Sequence, residues 1–301
     1  MPAKRSAAAR REVMGGLAKG LEVIRAFTRE HATLTLSEVA EVAGLPAATA
    51  RRCLHTLEDL GYVKRSGRAF VLRPKVLELG AAYLESMNIE ALTKNYLEDL
   101  ASQTGDSAAL TVLDDTEIVY VARASVRTLL RLEAHVGSRL PAYPTSMGRV
   151  LLAFQPESAI DAYFERTPLR RLTEQTETNP AALRRILKEV RTKGYAAIQD
   201  ELDYGIVSVA LPIFGPHGRI VAAANCSDVT NRLDRDTMIK KRLPVLRQAV
   251  RRIEGMLTQH PELTNSVESV ASDYVRSRGV ARVGQPTPKV ERSVSARAGR
   301  R

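Results

Sequence analysis

The sequence predicts an α+β chain: a small helical unit closed by a β-hairpin, a linking helix, and a larger domain whose helices pack on an antiparallel sheet. Three observations carry this reading. Residues 36–70 hold two short amphipathic helices, a glycine turn between them and a hairpin pattern behind them. Beyond Gly105 the apolar residues stop recurring every three or four positions and begin to alternate. Charge is uneven: residues 1–75 carry 14 Lys/Arg against 7 Asp/Glu, residues 76–270 carry 23 against 25, and residues 271–301 carry 8 against 2.

Taken in order, residues 1–13 are basic and aperiodic, a disordered arm that adds phosphate contacts or a solvated tail. From Gly15 to Thr28, Leu17, Leu21, Ile24 and Phe27 recur at helical spacing and predict a first helix. Ser37 reads as the N-cap of a short helix through Val39, Ala40 and Val42, Gly44 as a turn, and Pro46 as the first turn of the next helix. In that helix Ala50, Cys53, Leu54, Leu57 and Leu60 form one buried stripe. At about 100° per residue, Ala48, Arg51, Arg52 and His55 point away from the stripe, with Thr49 near the start. A surface small at its tip and cationic beyond suits a major groove, where arginines meet guanine edges or phosphates. Gly61 ends the helix, and Y-V-K-R-S-G-R-A-F-V-L has the alternation and glycine turn of a hairpin. Residues 14–73 thus read as a winged helix-turn-helix, with Lys64, Arg65 and Arg68 on the wing and double-stranded DNA as partner. The alternative is an ordinary helical hairpin whose arginines face solvent; the wing and the basic charge weigh against it.

Residues 74–87 read as a linker helix with Val76, Leu79, Ala82 and Tyr83 on one side. That side either packs against its twin in a homodimer or docks on the chain's own second domain. The second domain spans 88–262. Asn88 caps a helix with Ile89, Leu92, Tyr96 and Leu100 on one face. S-A-A-L-T-V-L, a turn at Asp114-Asp115 and E-I-V-Y-V-A-R form a hairpin, to which L-L-R-L-E-A-H adds a third strand. A helix begins at Thr145 and Ser146 with free N–H groups directed into the domain, and others run over 156–166 and 179–193. Strands resume with Y-A-A-I-Q, V-S-V-A-L-P-I-F and R-I-V-A-A-A-N-C-S, and a helix over 234–259, interrupted by Pro244, closes the domain. Residues 263–301 read as a basic flexible tail.

The same pass narrows the function. Gly-x-Ser-x-Gly, P-loop, Gly-x-Gly-x-x-Gly and His-x-x-x-His patterns are missing, and the five histidines fall at no metal-ligand spacing, so no cofactor or metal is expected and catalysis is the weaker reading. Cys53 and Cys226 read as small core residues. No apolar run approaches the roughly 18 residues of a membrane span, and the basic N-terminus lacks a secretory apolar stretch, so a cytoplasmic protein with no membrane partner is expected. Two polar sets stand out. Asn225 and Ser227 share one face of a very apolar strand, and Ser208 interrupts another. Together with the helix start at Ser146 and Met147 they either bind the oxygens of a small organic anion or satisfy nearby loop backbone.

The segments L-S-E-V-A-E-V-A-G-L-P-A-A-T-A-R-R-C-L-H-T-L-E-D-L-G-Y-V, V-G-S-R-L-P-A-Y-P-T-S-M-G-R-V-L-L-A, K-G-Y-A-A-I-Q-D-E-L-D-Y-G and V-A-A-A-N-C-S together resemble the IclR family of bacterial transcriptional regulators, in order from about Gly15 to Gln259. R-R-C-L-H-T-L and P-A-Y-P-T-S-M-G-R look most like its regulators of aromatic-acid catabolism, responsive to protocatechuate or 4-hydroxybenzoate. The resemblance implies a GAF-like effector domain, a small carboxylate effector, and dimers or tetramers on an operator, with RNA polymerase a further partner of an activator. Family pocket positions fall on Leu129, Leu132, Leu140, Ser146, Met147, Ser208, Asn225 and Ser227, and Tyr143 and Glu201 lie in matching motifs. One departure is Gly205-Ile206-Val207-Ser208, where the aromatic-acid branch has arginine in place of Val207; the tail beyond His260 is also longer than usual. A small-acid enzyme and a ligand-independent DNA binder are the competing functions.

Overall fold

The computed structural model describes residues 14–87, 89–125 and 134–259. The expected arm over 1–13, the tail over 263–301, the Asn88 cap and most of the L-L-R-L-E-A-H strand lie outside the described residues. Two compact units divide between Leu79 and Gly80, inside the expected linker helix.

The first unit runs α1 (Gly15–Arg25), β1 (Leu34–Thr35), α2 (Leu36–Val42), α3 (Ala47–Asp59), β2 (Val63–Ser66) and β3 (Ala69–Leu72), then a 3-10 turn over Pro74–Val76 into α4 (Leu77–Met87). β3 lies between β1 and β2, each pairing antiparallel. Val23, Val39, Ala50, Leu54, Val63 and Phe70 form its core. Each large apolar side chain buried there contributes about 1.5 to 3 kcal/mol.

Several local expectations are corrected. The cap of α2 is Thr35, not Ser37: Thr35 N donates to Glu38 Oε2 at 2.7 Å, and Glu38 N donates back to Thr35 Oγ1. A cap at Ser37 would have put Ala40 in the reciprocal position, with no carboxylate to return the bond. Pro46 is the N-cap of α3 rather than its first residue. Leu60 sits past the last helical turn and is exposed, so the α3 stripe ends at Leu57. In α1, Leu17 and Leu21 are 63% and 47% exposed, while Ile24, and Phe27 just past the helix, pack against the core that Val23 and Ala26 enter. That helix is apolar on two sides, and spacing alone does not say which one the core uses.

The second unit holds α5 (Ile89–Thr104), β4 (Ser107–Asp114), β5 (Glu117–Ser125), β6 (Arg139–Pro141), α6 (Ser146–Ala153), α7 (Glu157–Arg166), α8 (Pro180–Lys193), β7 (Ala196–Gln199), β8 (Ile206–Phe214), β9 (Ile220–Val229) and α9 (Arg235–Gln259). Its strands form one antiparallel sheet in the order β6-β5-β4-β9-β8-β7. Among the described residues the other neighbour of β5 is β6, a three-residue edge, and His135 precedes it in a loop. Alternation sorts the side chains into two cores. Leu110, Val207, Val209 and Cys226 face α5 and α9, whereas Ala109, Ala210 and Ala223 face α6 and α8.

A buried ion cluster fastens α9 to the sheet. Arg242 donates to both oxygens of Asp106 at 2.7 and 3.2 Å, and Arg232 lies 2.6 Å from Asp228 Oδ2. Burial outweighs the Arg242 contacts and pushes the Asp106 carboxyl from 3.8 up to about 6. A folded value above the unfolded one favours folding through the protonated form. That contribution is full below about pH 4 and is lost as pH rises through about 6. Calorimetry should therefore show the native chain gaining melting temperature, relative to Asp106→Asn, as pH falls from about 7 to about 5. Parallel pH profiles for the two proteins would discard this account.

Candidate functional site

The outer face of α3 is open. Ala48, Arg51, Arg52 and His55 are exposed and Thr49 is half-buried, while Ala50, Leu54 and Leu57 anchor the opposite side. The guanidinium groups of Arg51 and Arg52 have no hydrogen bond or ion pair among the described residues, so their donors face outward. His55 Nδ1 lies 3.9 Å from Glu58 Oε2. Behind the helix, Gly67 takes φ +62° at the wing turn, a conformation that favours glycine, and Lys64, Arg65 and Arg68 are exposed around it. Arg65 stacks over Phe70 at 5.3 Å. Lys75, which the sequence reading left out, bonds Leu60 O at 3.1 Å and covers the Tyr62 ring, joining the wing's exit to the end of α3. The arrangement is one cationic helix face plus a cationic hairpin on a rigid small core.

The second site is the α6 face of the large sheet. Thr145 caps α6 by accepting from Gly148 N at 3.0 Å. The N–H groups of Ser146 and Met147, at a buried helix start, find no acceptor among the described residues. α6 lies close to the preceding loop because residue 148 is glycine: a Cβ there would stand 2.1 Å from Ala142 O. Arg149 locks the other side, donating to Tyr143 O at 2.9 Å and to both carboxylate oxygens of Glu201.

Strand register lays out what α6 looks down on. Residues opposite one another in antiparallel strands share a face. Ser125, Ser107, Ser227 and Ser208 form one row across β5, β4, β9 and β8. Arg123, Ala109, Asn225, Ala210 and Ala196 form the next, reaching β7. Ser208 Oγ and Ser146 Oγ are 2.7 Å apart, so this face and the start of α6 meet. Thr111 Oγ1 donates to Met147 Sδ at 3.3 Å. Asn225 is 4% exposed, and its amide makes no hydrogen bond among the described residues. Leaving such a group unsatisfied costs about 1 to 3 kcal/mol, so an orphaned amide between two alanines invites a bound partner. Neither Ser146 nor Ser208 has a basic or acidic side chain in hydrogen-bonding reach among the described residues, so the face offers recognition of oxygens rather than an activated nucleophile.

The structure brings Ser146, Met147, Ser208, Asn225 and Ser227 onto this face. Leu140 sits half-buried on β6 against the same core. Leu129 and Leu132 lie outside the described residues. Tyr143 and Glu201 are committed within the chain, the phenol to Arg170 O at 2.5 Å and the carboxylate to Arg149. Val207 faces the α9 core, so an arginine at that position would not share the face of Ser208. Sequence reading missed Ser107, Thr111 and Arg123, whose place depends on register rather than on any motif.

Residues 16–67 match the IclR helix-turn-helix domain, and residues 81–255 match the bacterial transcriptional regulator IclR C-terminal domain. The Pca regulon regulatory protein of Pseudomonas putida is 38% identical over 241 residues, covering 80% of this chain and 83% of its own. The p-hydroxybenzoate hydroxylase transcriptional activator of Acinetobacter baylyi is 33% identical over 251 residues, 82% of this chain and 93% of its own. A solved IclR homolog from Microbacterium hydrocarbonoxydans, complexed with 4-hydroxybenzoate, superposes with a TM-score of 0.70 at 26% identity, covering 81% of this chain and 99% of that one. These relatives are regulators rather than enzymes, and no helix among the described residues is long and apolar enough to cross a membrane. With a DNA-reading unit followed by a sheet domain over nearly all of its described length, this chain belongs to the IclR family of bacterial transcriptional regulators.

Proposed function

We propose that the chain is a cytoplasmic regulator of a catabolic operon that grips its operator through α3 and the wing and changes that grip when a small aromatic carboxylate binds on the α6 face. The observation that carries the sensing half is the buried, unpartnered amide of Asn225 on the face that also meets the two free N–H groups opening α6. Donors and acceptors without partners, walled by alanines and Met147, suit a small ligand rich in oxygen. The Microbacterium homolog, held with 4-hydroxybenzoate, supports the aromatic class. Ala48, Thr49, Arg51, Arg52 and His55 read the groove, and Lys64, Arg65 and Arg68 hold the phosphates.

The working form is a homodimer, or a tetramer of paired dimers. Met14, Leu17, Leu21, Leu77 and Leu79 leave the first unit with large exposed apolar side chains, a surface that a second copy would cover. The effector acts by its different affinity for two arrangements of the paired readers. RNA polymerase joins the partners where binding activates.

The test is a gel shift at fixed salt on an operator selected from random duplexes. Arg52→Ala should weaken binding by about 1 to 3 kcal/mol if its guanidinium pairs with a guanine. Hydroxybenzoates should move the wild-type affinity. An Arg52→Ala protein with unchanged affinity removes α3 as the reader, and affinity indifferent to every hydroxybenzoate removes the sensing role.

A further inference from the structure

Resting on that effector reading, the register of the sheet points to one residue more. We infer that Arg123 is the charge-reading arm of the effector site: its guanidinium takes the ligand's carboxylate, and Asn225 with the start of α6 takes the polar group at the other end.

Arg123 stands opposite Ala109 on β4, and Ala109 stands opposite Asn225 on β9, so all three look toward α6. Nη1 of Arg123 donates to Ala134 O, and Nη2 lies 3.4 Å from Ser107 Oγ. Both partners are neutral. No carboxylate pairs with this guanidinium among the described residues, whereas Arg149, Arg139, Arg232 and Arg242 all have one. A half-buried arginine held in place by a carbonyl and a hydroxyl, with donors left over and no counter-charge, is an anion receptor waiting for its anion.

The orientation follows from comparing the two ends. Arg123 offers a full charge in a fork that matches a carboxylate. The start of α6 offers about half a charge, and its neighbours Asn225, Ser146 and Ser208 are neutral groups that both donate and accept. A carboxylate belongs at the first and a hydroxyl at the second. Two strand spacings put the backbones of Arg123 and Asn225 about 10 Å apart. With side chains reaching in from each end, the interval over Ala109 suits one aromatic ring.

The experiment is calorimetric titration of the full chain, wild type, Arg123→Gln and Arg123→Lys, with benzoate, 4-hydroxybenzoate, 3,4-dihydroxybenzoate and the three matching carboxamides. The wild type should prefer an acid to its amide by about tenfold or more. Arg123→Gln should lose that preference while keeping its affinity for the amide, with at most a small fall in ligand-free melting temperature from the lost bonds to Ala134 O and Ser107 Oγ, and Arg123→Lys should keep part of it. An unchanged acid-to-amide ratio in Arg123→Gln overturns the assignment, and so does an equal loss of acid and amide. If no acid binds the wild type, the effector reading itself fails and this inference goes with it.

Discussion

Gly148→Val should leave the effector domain unable to keep its native packing, with a loss above about 3 kcal/mol that shows as a collapsed melting temperature or insoluble protein. A side chain here has nowhere to go. Its Cβ would meet Ala142 O at 2.1 Å, Ala142 Cα at 2.4 Å and Ala142 C at 2.6 Å, all of them backbone. Nor can Ala142 retreat cheaply: its N–H donates to Thr116 O at 3.1 Å, and its carbonyl accepts from Thr145 N and Thr145 Oγ1. The last two bonds hold Thr145, whose hydroxyl caps α6 by accepting from Gly148 N, so moving the loop would also misplace Ser146 and Met147. Gly255, on the exposed side of α9 with nothing within 4 Å of a Cβ, is the internal control. Gly255→Ala should stabilise by up to about 1 kcal/mol, since alanine is the better helix former. Thermal or urea melts of the two variants decide the matter; a Gly148→Val protein melting within a degree of wild type would refute the close-approach argument.

The second large effect concerns Arg149 and Glu201. Their side chains are 5% and 15% exposed and meet in a two-pronged pair. Glu201→Gln leaves the guanidinium buried without its counter-charge, a loss of about 3 to 5 kcal/mol. Arg149→Met strands the carboxylate instead and should cost a similar amount. Replacing both with Met and Leu should cost less than the two single changes added together, because neither charge is then left alone. A double-mutant cycle in urea measures the coupling, and strict additivity would show that the pair contributes no mutual stabilisation. The pair also holds the loop after β7, where Thr176 Oγ1 donates to Glu201 O at 2.6 Å and Thr173 Oγ1 to Asp200 O at 2.5 Å. If the proposed effector site is right, both single variants should also weaken the response to a hydroxybenzoate, because this loop stands beside the start of α6.

The helix-turn-helix was legible because its signals are local. Gly44, Gly61 and Gly67 sit at φ +63°, +80° and +62° where the turns were expected, and the spacing of α3 separates its core side from its arginines. On β8 the sequence marks Ser208 only as a polar break in an apolar strand; the structure turns it toward α6, with Val207 and Val209 toward α9. What could not be read is which residues stand opposite one another. Arg123 and Asn225 are about a hundred positions apart, and only strand order places them two strands from each other. The edge strand β6 was missed because three residues carry too little alternation to stand out. The α2 cap was misplaced by two residues because serine and threonine are both good caps, and Glu38 chose between them.

The two-sided alternation of β8 and β9 has a practical corollary for anyone retuning this regulator. Along β9, odd-numbered Ala223, Asn225 and Ser227 look toward α6, and even-numbered Ala224 and Cys226 look toward α9. Libraries confined to the odd set can explore the proposed ligand face while the other core stays intact. Deleting a single residue upstream would exchange the two sets, burying an amide where a thiol belongs and erasing selectivity and stability in the same step.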